Sequence, residues 1–150
     1  MTGIVVGVDG SDHSRGALSW AMREASLRQV PLEVVMVHPN PVRPATEIYW
    51  GIRPLPENSF DPELARSALQ QFVGQVASEI DGTVPEATVT VVTGDTAEEL
   101  VNASHGADMV VLGSRGSGGF ARLLMGSVSS QVSHHATCPV VIIPRSGGAS

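Results

Sequence analysis

The chain has 150 residues, a formal net charge of −6 and 42% hydrophobic residues, so it is long and apolar enough to bury the core of one domain. It contains no lysine, and its nine cationic side chains are all arginine. This composition disfavours a nucleic-acid-binding face, and the absence of lysine excludes both a Walker-type phosphate loop and Schiff-base chemistry.

The location of the protein is constrained by its cysteine content and by its apolar runs. A single cysteine, Cys138, excludes a disulfide within the chain, which fits a reducing compartment. No apolar run approaches the roughly 20 residues needed to cross a bilayer, and the N-terminal residues lack the pattern of a signal peptide. We therefore expect a soluble cytoplasmic protein that binds neither membrane nor nucleic acid, with one domain over residues 1–145 and a disordered tail at 146–150.

Short β-branched runs alternate with helical patterns along the chain. Continuous apolar runs of this kind are typical of strands buried on both faces of a parallel sheet. The predicted strands are 4–8, 32–37, 87–92, 109–112 and 139–144. A helix is predicted after each of the first four strands, which gives the order β-α-β-loop-α-β-α-β-α-β. This order predicts an α/β fold, a doubly wound, Rossmann-like sheet of five parallel strands with helices on both faces.

The helix patterns also predict caps and inward faces. Ser11 or Asp12 is placed to cap the first helix, and Asp61 followed by Pro62 opens the second. Thr96 with Glu99 is read as a capping box for the third. The inward stripe of the second helix is predicted to be Leu64, Ala68, Leu69, Phe72, Val73, Val76 and Ile80. The inward face of the fourth is predicted to be Val128, Val132, His135 and Ala136.

Two stretches depart from the alternating pattern. The connection from Pro39 to Phe60 contains five prolines and is long enough to predict a functional or mobile loop. The stretch GSRGSGGFARLLMGS, residues 113–127, follows an apolar strand and leads into a helix, which is the arrangement of an anion site. A dinucleotide fingerprint is formally present at 116–121, but no acidic residue follows about 20 positions later, as that motif requires.

A more specific match to the glycine-rich stretch comes from a known family. The pattern Gly113-x2-Gly116-x9-Gly126-Ser127 resembles the nucleotide-binding signature of the ATP-binding branch of the universal stress protein family. The segments VVGVDGS, VTGD and MGSVSSQVSHHATCPVVIIP, and a Val-His pair that ends the second strand, resemble that family in the same order. The resemblance covers nearly the whole chain and fades only across the proline-rich connection.

The resemblance implies an ATP site built from three strand ends. Asp9 would lie near the ribose and phosphates, and the backbone of Val37 and His38 would meet the adenine edge. Glycines and serines of the 113–127 stretch would bind phosphate, together with Mg²⁺ or Mn²⁺ carried by the nucleotide. The full set of expected ATP-binding residues is Asp9, Gly10, Ser11, Val37, His38, Gly113, Arg115, Gly116, Ser117, Gly118, Gly126, Ser127 and Val128.

The same resemblance implies a homodimer joined through an edge strand at Val140, Val141, Ile142 and Ile143. The site contains phosphate donors but no evident base, so no catalytic residue is assigned. The resemblance implies a nucleotide-responsive regulator in stress tolerance. Three alternatives remain open at this point. They are a slow ATPase or phosphotransferase using the same site, a binder of another adenine nucleotide such as cyclic AMP, and a dimerisation module that binds no nucleotide.

Overall fold

The computed structural model describes residues 3–10, 12–39, 61–114 and 126–144. Most of the proline-rich connection, the centre of the glycine-rich stretch and the tail at 146–150 lie outside these residues. The elements in chain order are β1 (Ile4–Val8), α1 (Asp12–Arg28), β2 (Leu32–Pro39), α2 (Pro62–Ser78), β3 (Ala87–Gly94), α3 (Thr96–Ser104), β4 (Met109–Gly113), α4 (Ser127–His135) and β5 (Val140–Ile143).

The strands form one sheet in the order β3-β2-β1-β4-β5, and every neighbouring pair is parallel. The chain therefore winds outward from β1 to β3 and then returns to place β4 on the other side of β1. Such a reversal opens a crevice at the carboxyl ends of β1 and β4. The predicted fold class is confirmed, and so is the position of β5 at an edge of the sheet.

Alternate residues of the strands build two cores. On one face Ile4, Val6 and Val8 pack with the apolar sides of α1 and α2. On the other face Val5 packs with residues of α3 and α4. The period of two along β1 thus separates the layers, and the predicted placement of helices on both faces is confirmed.

The observed helix starts confirm one predicted cap and correct another. The side chain of Asp61 accepts a hydrogen bond from the backbone N–H of Glu63 at 3.0 Å, with Pro62 at the first helical position. At α3 the cap is Asp95, whose Oδ2 accepts from the N–H of Glu98 at 2.9 Å. The predicted Thr96–Glu99 capping box is therefore wrong by one position, because Thr96 is already helical and the extended backbone lies at Asp95.

Two predicted inward faces extend too far. Leu64 is 69% exposed and Ala68 is also exposed, because α2 contacts the core only from Leu69 onward. In α4 Val132 is fully buried, but His135, predicted to face inward, is exposed in the last turn.

None of the described helices is both long enough and apolar enough to cross a membrane.

Candidate functional site

A cavity of about 160 Å³ lies at the carboxyl ends of β1, β2 and β4, where the strand order reverses. Three helices also contribute to it, and each does so through its N-terminal part. The described residues that line it are Gly7, Val8, Asp9, Ser14, Val35, Val37, Thr96, Leu100, Leu112, Gly113, Gly126, Ser127, Val128 and Ser129. The crevice expected from the winding of the chain is thus a real cavity with contributions from both halves of the sheet.

One side of the cavity is apolar and depends on a glycine. Val35 and Val37 from β2, Leu112 from β4 and Leu100 from α3 form this side. A Cβ atom at Gly7 would lie 2.7 Å from Leu112 Cδ2 and 3.0 Å from Leu100 Cδ2, so a larger residue would press on both leucines. Gly7 therefore lets these side chains lie against the strand backbone and form a slot suited to a flat apolar group.

The start of α4 also lines the cavity. Its N-cap is Gly126, with extended backbone (φ −73°, ψ 166°) and no side-chain hydrogen bond to the helix. The first N–H groups of a helix have no acceptor within the helix, and here Ser127 and Val128 carry two of them. Asp61 and Asp95 satisfy such groups in α2 and α3 with a carboxylate. The start of α4 thus offers backbone donors and the positive end of a helix dipole to an anion in the cavity.

An acidic side chain lines the same cavity as these donors. Asp9 follows β1, is exposed and lines the cavity. Gly10 follows with φ +81°, a left-handed conformation that favours glycine and turns the chain toward α1. In the part of the chain that the structure describes, no group of three or more histidine, cysteine, aspartate or glutamate side chains is arranged to hold a metal ion.

The cavity brings together six of the predicted site residues, namely Asp9, Val37, Gly113, Gly126, Ser127 and Val128. Gly10 and His38 lie next to this group in the chain but are not among its described lining residues. The predicted contacts of Ser11, Arg115, Gly116, Ser117 and Gly118 lie outside the described residues.

Sequence reasoning missed several lining residues, and three of them carry hydroxyl groups. Ser14 is buried in the first turn of α1, Thr96 begins α3, and Ser129 is buried in α4. A signal was present, because each is a hydroxyl residue in the first turn of a helix that follows a parallel strand. Such turns meet at one edge of a doubly wound sheet.

Comparison with known proteins agrees with this architecture. The model of the universal stress protein family matches residues 1–144. A universal stress protein of Mycobacterium tuberculosis is 41% identical over 155 residues, an alignment that includes 95% of this chain and 48% of that protein. The chain thus spans about half the length of that relative.

Two solved structures of similar proteins contain adenine nucleotides. A universal stress protein from Archaeoglobus fulgidus in complex with dAMP is 26% identical, with a TM-score of 0.61 and coverage of 95% of this chain and 98% of that one. A universal stress protein in complex with cAMP is 25% identical, with a TM-score of 0.63 and coverage of 95% of both chains. With the family match over nearly its whole length, this chain belongs to the universal stress protein family.

Proposed function

We propose that the protein binds ATP in the cavity at the carboxyl ends of β1, β2 and β4, and that it acts as a nucleotide-responsive regulator. The observation that carries the proposal is the start of α4. A helix that begins at a glycine, without a side-chain cap, opens onto an apolar slot at the point where the strand order reverses. An anionic ligand with a flat apolar part suits the apolar slot and the helix start together.

The residues of the cavity suggest how ATP would be held. The slot formed by Val35, Val37 and Leu100 would take the adenine ring, with polar backbone groups at the end of β2 beside it. The N–H groups at the start of α4 and the hydroxyl of Ser127 would donate to phosphate oxygens. Asp9 would repel a bare polyphosphate, so we expect ATP to enter with Mg²⁺ or Mn²⁺, which offsets that repulsion.

The related complexes support an adenine ligand in this family. The similar proteins described above were solved with cAMP and with dAMP, each of which carries one phosphate. Cyclic AMP is therefore the second candidate ligand for this cavity. The length of the glycine-rich stretch, residues 113–127, favours a longer phosphate chain, and slow hydrolysis of bound ATP remains an alternative outcome.

A regulatory role requires that nucleotide binding change a property of the protein that another molecule can detect. A homodimer formed through β5 in the cytoplasm is part of the proposal, as is a single nucleotide-binding domain over residues 1–145. Val140, Val141, Ile142 and Ile143 are each only half-buried at the edge of the sheet, so a second strand could pair there and cover them. Role and assembly can be tested separately from ligand binding.

The deciding experiment identifies the ligand directly. Nucleotide released from freshly purified, denatured protein is analysed by mass spectrometry, and calorimetry then compares ATP, ADP, AMP and cAMP with and without Mg²⁺. We expect ATP with Mg²⁺ to bind most tightly. Tighter binding of cAMP would favour the second candidate, and the absence of binding by any of the four would refute the proposal.

A variant of the acidic residue tests the site itself. Asp9→Asn should reduce the gain in ATP affinity that Mg²⁺ provides, because the carboxylate that faces the ion is lost. Glu86→Gln is the matched control, since that exposed carboxylate precedes β3 at the opposite end of the sheet. Steady phosphate release that Asp9→Asn abolishes would instead indicate an ATPase.

A further inference from the structure

Ser129 is a buried hydroxyl residue two positions after the start of α4. Its side chain is within hydrogen-bond distance of two backbone carbonyl groups, that of Ser114 at 3.2 Å and that of Gly126 at 3.1 Å. The residue is 4% exposed, so water does not compete for this hydroxyl. One hydroxyl hydrogen is thus shared between two acceptors that belong to different segments of the chain.

The two acceptors flank the glycine-rich stretch. Ser114 follows β4, Gly126 is the N-cap of α4, and the backbone N–H of Gly126 donates to the carbonyl of Ser114 at 2.6 Å. Ser129 adds a second donor to the same carbonyl oxygen. The strand end and the helix start are therefore held together by two hydrogen bonds that converge on one atom.

We propose that Ser129 is a positioning residue for the phosphate half of the ATP site, an inference that rests on the proposed function. By holding Gly126 against the end of β4, its hydroxyl keeps the N–H groups of Ser127 and Val128 directed into the cavity. The apolar lining comes from Val35 and Val37 of β2, Leu100 of α3 and Leu112 of β4, and none of these residues is a hydrogen-bond partner of the Ser129 hydroxyl. Loss of the hydroxyl should therefore weaken the binding of polyphosphate and leave the binding of the base unchanged.

Removal of this hydroxyl should not unfold the protein. In Ser129→Ala the carbonyl of Ser114 keeps the N–H of Gly126 as its donor. The carbonyl of Gly126 keeps the N–H of Ser130, at 3.0 Å. No buried acceptor is left without a partner, so the large penalty for an orphaned polar group does not apply.

The experiment compares ATP with adenosine, which shares the base and ribose but has no phosphate. Calorimetry is run on the wild type, Ser129→Ala, Ser129→Thr and the matched control Ser133→Ala. Ser133 lies on the same helix and its hydroxyl donates to the carbonyl of Ser130 at 2.8 Å, but it is exposed. We expect Ser129→Ala to weaken ATP binding about tenfold, which is the effect of losing one hydrogen bond that positions the start of α4.

Adenosine affinity should be unchanged in Ser129→Ala, and Ser129→Thr, which restores a hydroxyl, should recover ATP affinity. Ser133→Ala should stay within about twofold of the wild type, as expected for an exposed substitution. Without nucleotide, the amide of Gly126 should exchange with solvent faster in Ser129→Ala than in Ser133→Ala, because its hydrogen bond is less well held.

The outcomes separate this proposal from the proposed function. Equal weakening of ATP and adenosine in Ser129→Ala would show general loosening and overturn the positioning role, as would unchanged ATP affinity. In both cases the wild type still binds ATP, so the proposed function survives. A wild type that binds neither ligand would overturn both proposals together.

Discussion

Replacement of Gly126 by aspartate should separate ligand binding from stability. The backbone at Gly126 is extended, as it is at the caps Asp61 (φ −108°, ψ 110°) and Asp95 (φ −77°, ψ 124°). The carboxylates of those two residues accept backbone N–H groups at 3.0 and 2.9 Å. A carboxylate at position 126 should therefore cap α4 itself and occupy the donors that we assign to phosphate.

In Gly126→Asp we expect the stability to be kept and the affinity for ATP to fall. Aspartate is a better N-cap than glycine by only a few tenths of a kcal/mol, so the free energy of unfolding should stay the same or rise slightly. Loss of two hydrogen bonds to a charged phosphate, at about 1.5–3 kcal/mol each, should weaken ATP binding at least about 100-fold. Urea unfolding and calorimetry measure the two effects.

A neutral variant serves as the control for this substitution. Gly126→Asn can cap the helix but adds no charge, so its loss of ATP affinity should be smaller than that of Gly126→Asp. Gly126→Asp with wild-type ATP affinity would refute the assignment of the α4 start as the phosphate site. A variant that loses both stability and affinity would show that position 126 cannot accept a side chain.

Three further predictions concern other parts of the molecule. Val141→Glu should convert the proposed dimer to a monomer by light scattering while circular dichroism stays native, and a persistent dimer would contradict pairing through β5. Gly3→Ala should lower the free energy of unfolding by about 1–3 kcal/mol, because the new Cβ would lie 2.4 Å from the carbonyl oxygen of Pro31. Gly74→Ala, where nothing lies within 4 Å of the added Cβ, should not be destabilising, and equal losses in the two variants would exclude this steric reason. Burial raises the pKa of the Cys138 thiol above its ordinary 9.0, so the free energy of unfolding should fall as the pH rises above about 9, where the unfolded chain ionises first. Cys138→Ala should lack this component of the pH dependence in urea unfolding, and identical pH profiles would contradict it.

The fold was predictable because buried parallel strands leave a strong local signal. The run at 4–8 is continuous and β-branched, and the structure places β1 there with both faces covered. The reach of a helix over its sheet leaves no such signal. Leu64 and Leu69 belong to the same predicted apolar stripe of α2, yet only Leu69 is buried. Burial depends on which part of the sheet lies opposite each helical turn.

The site was predictable to the extent that its residues lie at strand ends. Asp9, Val37 and Gly113 lie at or next to the carboxyl ends of β1, β2 and β4, and all three line the cavity. For Ser14 and Ser129, a position in the first turn of a helix is a signal, but it does not single out either serine. Each is one of several serines in its segment, and only the packing of its helix against the sheet decides which hydroxyl points inward.

The peptide groups of Ser114 join two surfaces that have so far been treated separately. Its N–H donates to the carbonyl of Ile143, at the end of β5, at 2.9 Å, and its carbonyl accepts from Gly126. A single residue thus connects the proposed subunit contact to the proposed phosphate site. If pairing of β5 shifts Ile143, thermodynamic linkage requires nucleotide affinity and dimer affinity to change by the same factor. The dimerisation constant would then report on the nucleotide, so the assembly itself could serve as the readout of nucleotide binding.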